Sequence, residues 1–221
     1  MAGALSARPE LHVEGRDDQH SLVALLKRHG IAYADPFERS PPDLPEFKPA
    51  GSLEKLLKGM VTTIKASTGR AVGFLLDADA PLIDRWRAVR HWLEATGVIG
   101  LPETPPAEGF IGISSRFTTR VGVWLMPDNQ RDGKLEDFLR DLIDEHDRLI
   151  GHAESSTDAA KDLGSLFSDP DRIKAIIHTW LAWQVEPGKR FGIAMNAGWF
   201  RHDTETAQRF VRWFKTLYAI A

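Results

Sequence analysis

The chain has 221 residues, a formal net charge of −3 and no cysteine, which excludes disulfides, thiolate metal sites and cysteine nucleophiles. Hydrophobic residues make up 43% and charged residues 27%, as in an ordinary globular protein. The small negative charge gives no global basic field, so a polyanion would need a local patch or bound cations. We find no apolar stretch of signal-peptide or membrane-spanning length, and expect a cytoplasmic protein without a membrane partner.

A short strand near the N-terminus leads into a helix. Apolar residues before Glu14 predict the strand, and residues 17–30 predict a helix that Gly30 ends. The next stretch, 31–51, contains five prolines, so we expect a loop with room for one short edge strand.

Two further helices flank a strongly apolar strand. Residues 52–67 predict a helix capped by Ser52, and residues 81–97 predict a third helix. Between them, residues 71–76 form a continuous apolar run, the pattern of a strand buried on both faces of a parallel sheet.

A pair of strands and a long helix follow. Residues 109–115 and 119–128 predict strands joined around Thr118, and residues 133–151 predict one continuous helix. The alternation of strands and helices predicts an α/β fold with a largely parallel central sheet flanked by helices.

The later part of the sequence is mainly helical. Helices are predicted over 168–184 and 204–220, and the glycine-rich segment 186–198 between them is interpreted as a loop and a candidate lid. We therefore expect an α/β domain over residues 1–150 with a helical region over 151–221 packed on it, or one continuous domain.

Acidic residues follow two of the apolar strands. Asp77 and Asp79 come after the buried strand, two positions apart, so both carboxylates can face one side, and Glu14 follows the first strand. If the two strands are neighbours, the three carboxylates converge at the carboxyl edge of the sheet, where open α/β sheets form their sites. Mg²⁺ or Mn²⁺ would relieve the repulsion between them. Alone, the Asp77/Asp79 pair is as well explained by a solvated turn, and Glu14 is better explained by one; only the combination favours metal chemistry.

The segments VEGRDD (13–18) and FLLDADA (74–80) resemble the catalytic motifs of the Toprim domain. This domain occurs in topoisomerases, bacterial primases, recombination proteins and the overcoming-lysogenization-defect nucleases. The segments VGVWLMPDNQRDGKLEDFL (121–139) and HTWLAWQVEPGKRFG (178–192) resemble a bacterial family of small stand-alone Toprim-related proteins. The resemblance implies a Toprim-like fold, similar to the nuclease domain of the overcoming-lysogenization-defect enzymes.

The resemblance also implies roles for individual acids. Glu14 corresponds to the general acid or base of Toprim proteins, while Asp77 and Asp79 correspond to the residues that hold Mg²⁺. Asp18 matches a further acid often found at the start of the first helix.

More acids follow the last predicted strand. Asp128 lies near the same sheet edge if that strand is parallel to the others, and would then supply a further carboxylate to a two-metal site. Glu136 and Asp137 open the next helix, where we expect them to cap it and complement its dipole.

Three residues are candidates for contact with a phosphate. Gly15 would let the backbone and a phosphate come close, and Arg16, beside Glu14, is placed to meet it. Lys65 precedes the strand that ends at Asp77 and is a further candidate cation.

Together these features predict a metal-dependent nuclease that acts on DNA or RNA. Related Toprim nucleases of antiphage defence work with a separate ATPase, which suits a chain without a P-loop of its own. Tyr33 and Tyr218 are the only tyrosines, and the cleavage domain of a topoisomerase and the zinc module of a primase are both missing from the sequence.

Two alternatives stay open at this stage. One is a phosphohydrolase or phosphotransferase for a small nucleotide, which needs no extended basic groove. The other is a non-catalytic Toprim-like interaction or regulatory module, although such a scaffold has no need for three mutually repelling acids. The sequence also leaves open whether the chain forms a homo-oligomer.

Overall fold

The structure, a computed structural model, describes residues 8–34 and 41–221. Its strands are β1 (Glu10–Val13), β2 (Glu46–Pro49), β3 (Ala71–Asp77), β4 (Phe110–Ile113) and β5 (Arg120–Met126). Its helices are α1 (Arg16–Arg28), α2 (Leu53–Ala66), α3 (Leu82–Ala95), α4 (Leu135–Asp141), α5 (Arg148–Asp162), α6 (Arg172–Ala182), α7 (Phe191–Asn196) and α8 (Glu205–Tyr218). A short 3-10 turn, Asp169–Asp171, precedes α6.

The described strands form one mostly parallel sheet in the order β2-β1-β3-β5-β4. β2, β1, β3 and β5 run parallel, and only β4 pairs antiparallel, with β5. The α/β fold with a largely parallel sheet is therefore confirmed. β2 is the expected edge strand, and it can contain Pro49 because an edge strand need not donate from every backbone N–H. Of the five prolines in this stretch, Pro36 lies outside the described residues.

Local signals at the helix ends act as the sequence predicts. Gly30 follows α1 with a φ of 79°, in the left-handed region that glycine adopts without strain. The Ser52 side chain accepts a hydrogen bond from the backbone N–H of Lys55 at 3.3 Å and so caps α2.

The single helix predicted over 133–151 is wrong, because the chain breaks there into α4 and α5. Asp147 is the N-cap of α5, and its side chain accepts hydrogen bonds from the N–H groups of Leu149 and Ile150 at 2.7 and 3.4 Å. The carboxylate of Asp144 accepts the N–H of His146 at 2.9 Å in the turn before it. Aspartates that bond nearby backbone groups compete with a continuous helix.

The glycine-rich segment 186–198 contains a helix, α7, instead of only a loop. A Cβ atom on Gly192 would lie 2.8 Å from the carbonyl oxygen of His20, so α7 and α1 pack backbone to backbone at this point. Phe191 and Met195 are buried, at 2% and 1% exposure. The glycine that suggested a loop is required for close helix packing.

Two apolar clusters cover the faces of the sheet. One contains Leu11, Leu75 and Trp124 of the sheet together with side chains of α1 and of α4 to α8, and the other lies under α2 and α3. The helices after residue 150 thus share an apolar core with the sheet. Within the described ranges, no helix combines the length and the apolar character needed to cross a bilayer.

Candidate functional site

The carboxyl ends of β1 and β3 bring the two predicted acid motifs together. β1 and β3 are parallel neighbours, with Leu11 opposite Gly73, so Glu14 and Asp77 follow their strands at the same edge. The backbone N–H of Asp77 donates a hydrogen bond to Glu14 Oε1 at 2.9 Å. The condition under which the acids converge, that the two strands are neighbours, is therefore met.

A cleft of about 280 Å³ opens at this edge of the sheet. The described residues that line it include acids, cations, and the backbone at the start of α1, α2 and α4. The acids are Glu14, Asp17, Asp18, Asp77 and Glu136, and the cations are Arg16 and Lys174. The cleft is therefore lined by several carboxylates and by two positively charged side chains.

Asp77 is an acid of the cleft that is surrounded by other carboxylates. Its Oδ1 accepts a hydrogen bond from the backbone N–H of Leu135 at 3.0 Å, which joins the end of β3 to the start of α4. Burial, together with the negative charges of Asp18, Glu14 and Glu136, raises the pKa of Asp77 to about 9. In the absence of a cation, this group is therefore protonated near neutral pH.

Asp18 lies at the first turn of α1 and is only 6% exposed. Its Oδ2 accepts the backbone N–H of Gly15 at 2.8 Å, so the side chain satisfies an N–H group at the helix start. Burial raises the pKa of Asp18, the neighbouring Glu14 and Glu136 charges act in the same direction, and the resulting pKa is about 7. The acid predicted from the first-helix motif thus lies beside Glu14.

Glu14 is subject to opposing influences. Burial raises its pKa, whereas the hydrogen bond from Asp77 and the positive charge of Arg85 lower it. The net direction is upward, so a proton is easier to place on Glu14 than on a solvated glutamate. That property suits a residue that accepts a proton during a reaction.

Asp79 is held differently from the other motif acids. Its backbone has a φ of 52°, and its N–H donates to the carbonyl oxygen of Gly133 at 2.9 Å. Its Oδ2 pairs with Arg85 Nη2 at 2.5 Å, and its side chain is 55% exposed. Arg85 Nε also donates to the carbonyl oxygen of Asp77 at 2.9 Å, so one guanidinium holds both ends of the motif.

Glu136 is a site residue that the sequence interpretation did not identify as one. It lines the cleft, is 7% exposed, and has an oxygen 3.9 Å from Lys174 Nζ. The predicted capping role belongs to Asp137, whose Oδ2 accepts the backbone N–H of Lys134 at 2.9 Å. A usable signal existed: α4 begins after a strand parallel to β3, at the same sheet edge as Asp77.

Three predicted site residues are not among those that line the cleft: Asp79, whose contacts are given above, Asp128 and Lys65. Asp128 does follow a strand parallel to β3, but its Oδ1 accepts the N–H groups of Gln130 and Arg131 at 3.0 and 3.2 Å. Lys65 lies in the last turn of α2, before β3 begins and next to Ile64, whose carbonyl oxygen accepts a bond from Thr119 at the start of β5. Lys65 is thus at the opposite edge of the sheet from Asp77.

The donor set of the cleft suits a hard divalent cation, because all of its anionic groups are carboxylates. Among the described residues, no three His, Asp or Glu side chains are already arranged as a metal-binding group. Backbone N–H groups hold one oxygen each of Glu14 and Asp77, and Arg85 holds one oxygen of Asp79.

Helix starts add positive potential to the same cleft. Gly15 and Arg16 begin α1, and Gly51 and Ser52 precede α2; all four line the cleft. The first N–H groups of a helix carry partial positive charge and attract anions such as phosphate. The cleft therefore offers acids for a cation beside positive groups for an anion.

Comparisons with known proteins identify the family without assigning an activity. No curated protein and no solved structure matches the chain significantly. One family model, described as "Protein of unknown function (DUF3226)", matches residues 8–219. Because that match spans nearly the whole sequence, the chain belongs to the DUF3226 family.

Proposed function

We propose that the protein is a Mg²⁺- or Mn²⁺-dependent phosphodiesterase, a nuclease that acts on DNA or RNA. The observation that carries the proposal is the cleft in which Glu14, Asp18, Asp77 and Glu136 lie beside Arg16 and Lys174. Buried carboxylates with raised pKa values oppose one another's ionisation, and a divalent cation removes that cost. A phosphodiester is the anion that uses the adjacent cations and helix starts.

The chain supplies distinct groups for each task. Asp77, Asp18 and Glu136 would hold the cation, with Asp79 joining them once released from Arg85. The cation would neutralise charge on the phosphate and stabilise the leaving oxygen. Arg16, Lys174 and the N-terminal end of α1 bind and orient the phosphate.

Glu14 accepts the proton from the attacking water in this proposal. The water oxygen forms a bond to phosphorus, the bond from phosphorus to the ester oxygen breaks, and that oxygen leaves as a hydroxyl by taking up the proton that Glu14 accepted. The products are a phosphomonoester and an alcohol, so atoms and charge balance without an oxidant or a reductant.

The resemblance of VEGRDD and FLLDADA to Toprim motifs supports the same function. It extends the proposal to an effector of antiphage defence that works with a separate ATPase. That partner is an inference from the resemblance, and the assay below includes it as a variable.

A small-nucleotide phosphohydrolase is the second candidate, and the size of the cleft favours it. At about 280 Å³, the cleft is at the lower end of the range for small-molecule pockets. A mononucleotide would fill it without further contacts, and the net charge of −3 does not favour long polyanions.

The test compares substrates and variants under defined metal conditions. Purified protein is incubated with plasmid DNA, single-stranded DNA, tRNA and nucleoside triphosphates, in Mg²⁺, Mn²⁺ or EDTA, with and without an ATPase encoded nearby. We expect metal-dependent cleavage of a polynucleotide that Glu14→Gln and Asp77→Asn abolish and that Asp43→Asn, in an exposed loop, retains. Turnover of nucleotides alone selects the second candidate. If Glu14→Gln and Asp77→Asn behave as the wild type does on every substrate, both candidate functions are excluded.

A further inference from the structure

We propose that a surface beside the acid cleft binds the backbone of a single polynucleotide strand. The surface consists of Arg16 of α1, Lys174 and His178 of α6, and Lys189 and Arg190 before α7; we call it the basic track. The inference rests on the proposed function and deepens it, because it assigns the substrate class as a polynucleotide instead of a mononucleotide.

The α6 side of the basic track starts in the cleft itself. Lys174 lines the cleft, and His178 lies one helical turn later on the same face, about 6 Å further along the axis. Both side chains are exposed. The ring of His178 lies 5.0 Å, centroid to centroid, from the ring of Phe191, so the start of α7 is adjacent to this face of α6.

The α1 side of the basic track also leads from the cleft to the start of α7. Arg16 lines the cleft, and His20 lies one turn further along α1. Gly192 packs against the backbone of His20, since a Cβ on Gly192 would lie 2.8 Å from the His20 carbonyl oxygen. Both routes from the cleft therefore end at the first turn of α7 after one helical turn.

Lys189 and Arg190 directly precede that first turn, which places their charges where the two routes meet. Arg190 is exposed, and its guanidinium makes no hydrogen bond or ion pair with any described residue. Lys189 pairs with Glu186 at 2.6 Å, and the glutamate is 63% exposed, so a phosphate can replace it. Arg190 in particular has no partner among the described residues that explains its charge.

The position of these cations selects a polynucleotide over a mononucleotide. A mononucleotide held in the cleft would have its phosphate near Arg16 and Lys174. It has no further phosphate that could contact Arg190. A strand with one phosphate in the cleft presents its next phosphates along the surface. Each protein cation that contacts one of them displaces a counter-ion bound to the nucleic acid, which favours binding. The segment 186–198, which the sequence suggested as a lid, would then serve as a fixed wall of the path.

The test measures strand binding separately from chemistry in the cleft. A fluorescent 20-nucleotide single strand, of DNA and of RNA, is titrated with Glu14→Gln protein in Mg²⁺ over a range of salt concentrations. We expect Lys189→Ala/Arg190→Ala in that background to weaken binding at least fivefold. The slope of log K against log salt should fall by about 0.7 for each contact removed. Lys58→Ala/Lys65→Ala, on exposed parts of α2, is the matched control and should bind as the parent does.

A second readout compares substrates in the catalytically active background. The ratio of oligonucleotide cleavage to hydrolysis of bis(p-nitrophenyl) phosphate should fall in Lys189→Ala/Arg190→Ala, because the small diester reaches only the cleft. Unchanged affinity and salt slope would overturn the basic track, while metal-dependent cleavage by the wild type would leave the proposed function standing. Tighter binding of a duplex, or no binding of any strand by the parent, also overturns it. If the wild type hydrolyses no phosphodiester under any condition, the proposed function itself is wrong.

Discussion

Glu14 holds the end of the neighbouring strand, since its Oε1 accepts the backbone N–H of Asp77 at 2.9 Å. Glu14→Gln keeps an acceptor oxygen there, so we expect its free energy of unfolding in EDTA to stay within about 0.5 kcal/mol of wild type. Glu14→Ala leaves the Asp77 N–H unpaired and should cost about 1–3 kcal/mol. Urea denaturation of both variants checks this.

Catalysis should respond differently from stability. Both Glu14 variants lose the proton acceptor, and we expect phosphodiester cleavage to fall by at least about 10²-fold in each. Equal loss of stability in the glutamine and alanine variants would contradict the hydrogen-bonding role.

Asp77 and Asp18 should make the metal-free protein less stable as the pH rises. Burial and neighbouring acids raise the pKa of Asp77 to about 9 and that of Asp18 to about 7 in the folded protein. The unfolded chain loses these protons near pH 4, so between about pH 4 and 9 the folded state binds more protons. The free energy of unfolding should then fall with pH, by at most about 1.4 kcal/mol per pH unit for each group.

Urea denaturation in EDTA at pH 5.5, 7.0 and 8.5 measures this dependence. Asp77→Asn should flatten most of the decline, whereas Asp43→Asn, in an exposed loop, should keep it. Saturating Mg²⁺ should stabilise the protein more at pH 8.5 than at 5.5, because the cation requires ionised carboxylates. Stability that rises over this pH range in EDTA would refute the electrostatic account.

Arg85 should stabilise the metal-free protein more than the metal-bound one. Its guanidinium contacts Asp79 Oδ2 and the Asp77 carbonyl oxygen, and its side chain is 14% exposed. We expect Arg85→Gln to cost about 1–3 kcal/mol in EDTA and less in saturating Mg²⁺, because the cation then replaces the lost positive charge.

The neighbouring Arg87→Gln is the matched control for this effect. Arg87 pairs with Asp84 at 2.9 Å, but both side chains are mostly exposed, so we expect at most about 0.5 kcal/mol in either condition. Thermal melts with and without Mg²⁺ compare the two variants. The same cost for Arg85→Gln in EDTA and in Mg²⁺ would show that its role is purely structural.

Local signals in the sequence were sufficient to predict the strand and the helix ends that surround the site. The apolar run before Asp77 predicts β3, and Ser52 and Gly30 mark helix ends that the structure contains. Glu14 and Asp77 come together because β1 and β3 are neighbours. The sequence pattern alone did not determine that these two strands pair. Motif resemblance supplied Asp18, whose burial then follows from its place in the first turn of α1.

Features that depend on tertiary contacts were not predictable in this way. An acid in the first turn of a helix has the same local signature whether it caps the helix, as Asp137 does, or lines a cleft, as Glu136 does. Gly192 resembles a loop glycine until α1 is seen against it. The break between α4 and α5 depends on which aspartates bond to the backbone.

Gly122 should be intolerant of a side chain because α8 lies directly on β5. A Cβ atom there would lie 2.5 Å from Leu217 Cδ2, so we expect Gly122→Ala to cost about 1–3 kcal/mol. In a Leu217→Ala background the extra cost should shrink by about 0.5–3 kcal/mol, since the clash is removed. Urea denaturation of the four proteins of this cycle measures the coupling.

Gly59→Ala is the matched control, because Gly59 lies in α2 and a Cβ there has no neighbour within 4 Å. It should stabilise the protein by about 0.5–1 kcal/mol through helix propensity. Additive costs for Gly122→Ala and Leu217→Ala would mean that α8 does not restrict β5 at this point.

Glu136 and Asp137 are adjacent but should have separable roles. Glu136→Gln removes a charge from the cleft, so we expect metal-dependent cleavage to fall at least about 10-fold. The same change should leave the stability in EDTA at pH 8 equal or higher, because repulsion with Asp77 and Asp18 is relieved. Asp137→Ala instead removes the acceptor for the Lys134 N–H and should cost about 0.5–2 kcal/mol of stability.

Isothermal titration with Mg²⁺ and urea denaturation distinguish the two roles. Glu136→Gln should weaken Mg²⁺ binding while its unfolding midpoint in EDTA is maintained, and Asp137→Ala should show the reverse. If Glu136→Gln lowers stability as much as Asp137→Ala and binds Mg²⁺ as wild type does, then Glu136 serves only the start of α4. The cation would in that case depend on Glu14, Asp18 and Asp77, the acids that follow β1 and β3.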